Sequence, residues 1–168
     1  GSTIQGGTTD ISDLSGLQNI QMVYGTLTIK GNPNLTNLNG LQGLNEVSMG
    51  LYIEDNDGLV NLQGLNNVSV LTHDVVIDGN DNLVNLQGLN GATDIENFRI
   101  TNNSSLENLV GLENFTTVHF NFTISNNDNL LNLQGVEGLT DALGEIFISE
   151  NALLQNLTGL DNIVNAEN

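Results

Sequence analysis

LVNLQGLN occupies residues 59–66 and returns, letter for letter, at residues 83–90. Eight identical residues at a spacing of 24 mark an internal repeat, and repeats are read before anything else because they decide the architecture. Extended in both directions, the copies share the pattern Φ-x-I-x-x-N-x-x-L-x-N-L-x-G-L, where Φ is apolar. They read LTIKGNPNLTNLNGL from Leu27, LYIEDNDGLVNLQGL from Leu51 and VVIDGNDNLVNLQGL from Val75. FRITNNSSLENLVGL follows from Phe98, FTISNNDNLLNLQGV from Phe122 and IFISENALLQNLTGL from Ile146. The starting points are 24, 24, 23, 24 and 24 residues apart, and the short step lies between Ile95 and Ile100. Upstream, DISDLSGLQNI sets Ile11, Leu14, Leu17 and Ile20 where Leu35, Leu38, Leu41 and Leu44 recur, without the turn asparagine.

Φ-x-I alternates, which is strand spacing. L-x-x-L-x-x-L is neither strand nor a sustained 3.6-residue stripe. A glycine interrupts it in every copy, at Gly40, Gly64, Gly88, Gly111, Gly135 and Gly159, each of which would cost a helix about 1 kcal/mol. Each unit is therefore one coil of a β-rich solenoid, and neighbouring coils stack about 4.8 Å apart through parallel strand pairing. The chain reads as a single repeat domain over residues 1–168: a degenerate starting coil at 1–26, then six coils beginning at 27, 51, 75, 98, 122 and 146.

In the first full coil Leu27, Ile29, Leu35, Leu38, Leu41, Leu44 and Val47 point inward, with Phe98, Phe115 and Phe122 filling wider spots further on. Asn32, Asn56, Asn80, Asn103, Asn127 and Asn151 follow the isoleucine by three residues without exception. An inward amide there can bond the turn's backbone and the next asparagine in the stack, so this column reads as a structural ladder. A second column, Asn37, Asn61, Asn85, Asn108, Asn132 and Asn156, is equally regular and is also expected to point inward.

Composition narrows the partners. Twenty Asp and Glu face two cations, Lys30 and Arg99, for a formal charge of −18. Phosphate backbones and anionic lipid surfaces are repelled, so nucleic acid and membrane surfaces are not expected partners. No apolar run is long enough to span a bilayer. Cysteine is absent, which excludes disulfides and thiolate metal sites. The opening Gly1-Ser2 reads as a cloning remnant, so the lack of a signal-peptide pattern in these residues leaves room for a native leader that was cut away. The last coil ends near Asn168 without an evident cap. Its open edge would invite pairing, so the native protein is expected to continue as part of a longer surface protein.

DLSGLQNIQMVYGTLTIKGNPNLTNLNGLQGL, with sLsGLxNI, then GxLxI, then N-x-x-L, resembles the receptor L domain, a relative of the leucine-rich repeats. The resemblance covers residues 10–165. It implies a right-handed, parallel β-helix-like leucine-rich-repeat solenoid used outside the cell or on its surface to bind or adhere. Animal L domains are ligand-binding parts of insulin and growth-factor receptors with cysteine-rich neighbours. The cysteine-free tandem repeats here are similar instead to those of secreted bacterial surface proteins.

Catalytic signatures do not appear. His73 and His119 are the only histidines and read as ordinary loop residues before two strands, so no enzyme is expected. A histidine lining a pocket with an acid would reopen the matter. Calcium is possible as a cofactor: Asp57 and Asp81 share one turn position in adjacent coils, where an ion would relieve their repulsion. The glycine-rich nonapeptide of calcium solenoids is missing, and solvated acids are the competing reading. Seven N-x-S/T sequons begin at Asn34, Asn67, Asn102, Asn103, Asn114, Asn121 and Asn156. With 29 asparagines, several arise by chance, and Asn103 and Asn156 are expected to face inward.

The outward strand positions read Thr28, Tyr52, Val76, Arg99, Thr123 and Phe147, and beside them run Lys30, Glu54, Asp78, Thr101, Ser125 and Ser149. These columns vary while every other feature repeats, and variation on a rigid ladder is where specificity can be written. Both cations and two aromatic residues, the common hot-spot types, fall on them. The expected function is a non-catalytic extracellular binding or adhesion module that recognises a protein or glycan through this face. The alternative is a structural spacer of a larger surface protein, with or without calcium stiffening. Ice binding is the lesser alternative, because it asks for a flat threonine ladder and the column is mixed.

Overall fold

The computed structural model describes the backbone of residues 2–5 and all of residues 11–166. Gly1, with its reading as a cloning remnant, and Asn168, at the expected open end, lie outside the described residues. The strands are β1 (Ser2–Gln5), β2 (Met22–Val23), β3 (Thr26–Lys30), β4 (Glu46–Val47), β5 (Gly50–Glu54) and β6 (Val70–Leu71). They continue as β7 (Asp74–Asp78), β8 (Asp94–Thr101), β9 (Thr117–Ser125), β10 (Asp141–Ala142), β11 (Glu145–Ser149) and β12 (Asn165–Ala166). Helix among the described residues is confined to one 3-10 turn at Ser15–Leu17.

The wide face is a parallel sheet in which β1, β3, β5, β7, β8, β9 and β11 pair in that order. Its register is that of the repeat: Ile29, Ile53, Ile77, Ile100, Ile124 and Ile148 are successive partners. The starting coil contributes a strand too, with Ile4 opposite Ile29. A second, narrow line of pairing was not expected. β2, β4 and β6 form it in the early coils, and the leading ends of β8 and β9 with β10 and β12 form it later. The one-residue deletion becomes a register shift between Ile95 and Asn97, where β8 turns the corner unbroken.

The three-residue leucine spacing has a local cause. Leu35 N–H donates to Asn32 C=O, Leu41 to Leu38 and Leu44 to Leu41, so three of the four leucines close a turn on the residue three before them, while Leu38 N–H donates to Gln63 C=O of the next coil. A chain of such turns aims every third side chain inward. Leu35, Leu38, Leu41 and Leu44 are all fully buried, as are their equivalents through Leu139. Phe98, Phe115 and Phe122 pack against one another with centroids 5.5–5.8 Å apart. The interrupting glycines sit at φ between 113° and 125°. At Gly88 a Cβ would stand 2.0 Å from the Leu62 carbonyl oxygen of the coil below. Glycine is thus required both by the turn and by the closeness of the stack.

Another position in the coil takes the left-handed region at the end of each wide strand: Gly31, Asp55, Gly79, Asn102, Asn126 and Glu150 all have φ between 55° and 68°. It delivers the next residue, the first asparagine column, into the interior. Asn32, Asn56, Asn80, Asn103 and Asn127 have no exposed surface, and Asn151 in the last coil is half-buried. The bonding repeats. Asn80 Nδ2 donates to Ile53 C=O of the coil below (2.9 Å), Asp78 C=O of its own (3.2 Å) and Asn103 Oδ1 of the coil above (3.2 Å). Asn80 Oδ1 accepts from the backbone N–H and Nδ2 of Asn56, at 3.1 and 3.2 Å.

The second column departs from expectation. Asn37, Asn61, Asn85, Asn108 and Asn132 are half-buried and Asn156 is exposed. Each accepts the N–H two residues on, as Asn85 Oδ1 does from Gln87 at 3.1 Å. These are local Asx turns, structural but not inward, because that bond is satisfied without reaching another coil. Asn156, being exposed, is not kept from modification by burial. The two columns should therefore separate in stability. Asn80→Ala strands several buried backbone groups and should cost about 3 kcal/mol or more, whereas Asn156→Ala should stay within about 1 kcal/mol. Urea midpoints of the two variants check this, and equal effects would contradict it.

Candidate functional site

Strand alternation puts three rows of side chains on the outside of the wide sheet, because residues two apart share a face. The middle row is Thr28, Tyr52, Val76, Arg99, Thr123 and Phe147, brought side by side by the register. Arg99 and Phe147 are exposed and the other four half-buried. The row faces outward, as strand alternation requires.

The next row is only partly available. Lys30, Glu54, Asp78 and Ser149 are half-buried, but Thr101 is 5% exposed and Ser125 9%. Thr101 was expected on the binding face, and its hydroxyl instead donates to Asp78 Oδ1, which also accepts from Asn102 Nδ2 at 2.7 Å. Both cations are engaged within the face. Lys30 Nζ lies 2.9 Å from Glu54 and 3.4 Å from Asp55, and Arg99 lies 3.7 Å from Asp78. Glu54 and Asp78 are register partners, so the two cations bracket a pair of stacked carboxylates. The hydrogen bond and the charge of Glu54 raise the Lys30 pKa above its ordinary value.

The row on the other side was missed: Thr26, Gly50, Asp74, Asn97, Asn121 and Glu145. Carrying the two-residue alternation one step toward the N-terminus would have found it. A polar chain runs along this row. Asn121 Nδ2 donates to Asn97 Oδ1 at 2.9 Å, and Asn97 Nδ2 donates to Asp74 Oδ1 at 2.8 Å. Tyr52 O–H donates to Asp74 Oδ2 at 3.2 Å. The Tyr52 ring lies across Gly50, where a Cβ would come within 2.9 Å of its Cε2. Burial first, and then the Asp74 charge, push the Tyr52 phenol above its ordinary pKa. Between these rows is a depression of about 290 Å³ lined by Asp74, Val76, Asn97, Arg99, Asn121 and Thr123.

Around the corner, His119 meets an acid. Its Nε2 is 2.7 Å from Asp94 Oδ1, and the pair opens on a depression of about 280 Å³ with Thr72, Glu96 and Phe120. His119 lies within β9 and not in a loop. This is the arrangement that reopens a catalytic reading. A triad also needs a nucleophile bonded to the base. The Thr72 hydroxyl is 3.1 Å from His73 Nδ1, and no serine lines the depression. The turn acids Asp57 and Asp81 are exposed, and Asp81 Oδ1 accepts from the Ser104 hydroxyl at 2.9 Å. Among the described residues no group of three or more His, Cys, Asp or Glu stands together as a metal site. No helix among them is long and apolar enough to cross a membrane.

In comparison with known proteins, the family model described as Receptor L domain matches residues 2–90. No curated protein and no solved structure matches the chain.

The Tyr52–Asp74 contact has a measurable consequence. Asp74→Asn removes the charge but not the burial, so the Tyr52 phenol should titrate at lower pH while remaining above its ordinary value. Tyrosinate absorbance in a Tyr24→Phe background checks this. An unchanged titration would show that Asp74 does not hold the hydroxyl.

Proposed function

The chain belongs to the receptor L domain family, and we propose that it is a non-catalytic, extracellular binding module that recognises its partner through the outward face of the wide sheet. The family supports ligand binding in general. The assignment to this face rests on one observation: its rows change from coil to coil, while the asparagines, leucines and glycines behind them are held in strict register. A rigid sheet presents such side chains without the ordering cost that a loop would incur.

The partner is a protein or a neutral glycan. An acidic chain with formal charge −18 does not favour a polyanion. The ion pairs of Lys30 and Arg99 favour a second reading, a spacer that displays another domain and uses its two cations only to relieve stacked carboxylates. Removing the face separates the two. Capture of protein or glycan from the producing organism's cell envelopes should fall at least tenfold in a Tyr52→Ala, Arg99→Ala double variant. It should be unchanged in Gln63→Ala, which alters the turn side. Equal capture by both variants would favour the spacer. A melting midpoint that rises with calcium and falls with chelator would favour a calcium-stiffened form of it.

A further inference from the structure

We propose that the depression between Val76 and Thr123 is a subsite for one neutral pyranose ring of a glycan, with Asp74, Asn97 and Asn121 as its polar wall. The proposal deepens the binding-face reading and rests on it. Size is the first ground. About 290 Å³ lies at the lower limit of ligand sites, a size suited to a single ring.

The second ground is the chemistry of the lining. A sugar hydroxyl is donor and acceptor at once, and is best met by side chains that offer both in fixed positions. Asn97 and Asn121 are such groups, and their orientation is set by the chain of bonds that ends at Asp74 and Tyr52. That chain leaves groups to spare. Asn121 Oδ1 and the Thr123 hydroxyl have no partner among the described residues, and each amide keeps one N–H. Arg99 makes a single long contact to Asp78, so most of its donors remain available beside the same depression. Val76 supplies apolar surface for the C–H face of a sugar.

The third ground is charge. Asp74 lines the depression and Asp78 lies 3.7 Å from its one cation, Arg99, in a chain of formal charge −18. Sulfated or uronic acid rings are disfavoured there, and a neutral ring is not. A peptide backbone gains little, because the sheet's own N–H and C=O groups at this place are paired between coils.

The test is a two-dimensional amide NMR titration of the full chain, made in bacteria so that the Asn121-Phe122-Thr123 sequon is bare. The probes are the methyl glycosides of mannose, galactose, glucose and N-acetylglucosamine, with a sulfated disaccharide and a neutral dipeptide beside them. At least one neutral glycoside should shift the Asn97 and Asn121 side-chain amides and the Thr123 N–H saturably. Thr123→Val, which removes only a hydroxyl, and Asn97→Leu should each weaken that binding about tenfold or more. Either variant that folds suffices for this comparison. The proposal is overturned if no neutral glycoside moves these signals, if the variants bind equally well, or if the sulfated disaccharide or dipeptide moves them instead. In each of those cases, loss of envelope capture by Tyr52→Ala, Arg99→Ala would leave the binding-face reading standing without the sugar subsite.

Discussion

One buried amide per coil carries the architecture. At the end of each wide strand the chain must reverse, and reversal leaves carbonyls pointing into an aliphatic interior where water cannot reach them. Asn56, Asn80, Asn103 and Asn127 meet this cost on both sides of a coil boundary. Asn103 Nδ2, for example, donates to Ile77 C=O below, to Thr101 C=O beside it and to Asn127 Oδ1 above. Aspartate would lack the donors, and glutamine is one methylene too long for the same fit. The bond set closes only if the next asparagine arrives in the same place, so it enforces the register as well as the turn. Aliphatic burial provides most of the cohesion, but apolar contact is not directional and would accept a slipped coil. The ladder does not.

A fixed interior leaves the exterior open to change. Inside, each position is held to one or two residue types by closeness: a carbonyl 2.0 Å from where a Cβ of Gly88 would stand permits no alternative. Outside, the wide sheet carries threonine, tyrosine, valine, arginine, threonine and phenylalanine in successive coils of one row. The same stacking that repeats the interior brings like charges together, as at Glu54 and Asp78. The two cations of the chain stand where they offset that repulsion. Their roles in stability and in binding are therefore coupled on this face.

Most of the fold was legible because a repeat reports its own register. Coil starts, inward leucines and the first asparagine column follow from spacing alone, and the one-residue deletion near Ile95 appears as the shift that it had to produce. The second asparagine column was misplaced. Spacing shows that Asn85 recurs, but not that a bond to its own turn satisfies it at the surface. The narrow strand line escaped notice because two residues per coil carry no alternation. For the candidate site, the middle row was readable from alternation. The burial of Thr101 was not, since it depends on Asp78 and Asn102 closing over the hydroxyl from neighbouring residues. Asp74, Asn97 and Asn121 lie two residues before the middle row, and their mutual bonds are contacts between coils that no single copy displays.

The central claim, that buried side-chain amides join coil to coil, is tested most directly by hydrogen exchange at the Nδ2 groups themselves. Followed by NMR in the native state, the Asn56, Asn80, Asn103 and Asn127 side-chain amides should exchange only through opening of the stack, far more slowly than those of Asn85 and Asn132. Exchange of the two groups at similar rates would mean that the amides are open to water, and that something other than this column holds the coils in register.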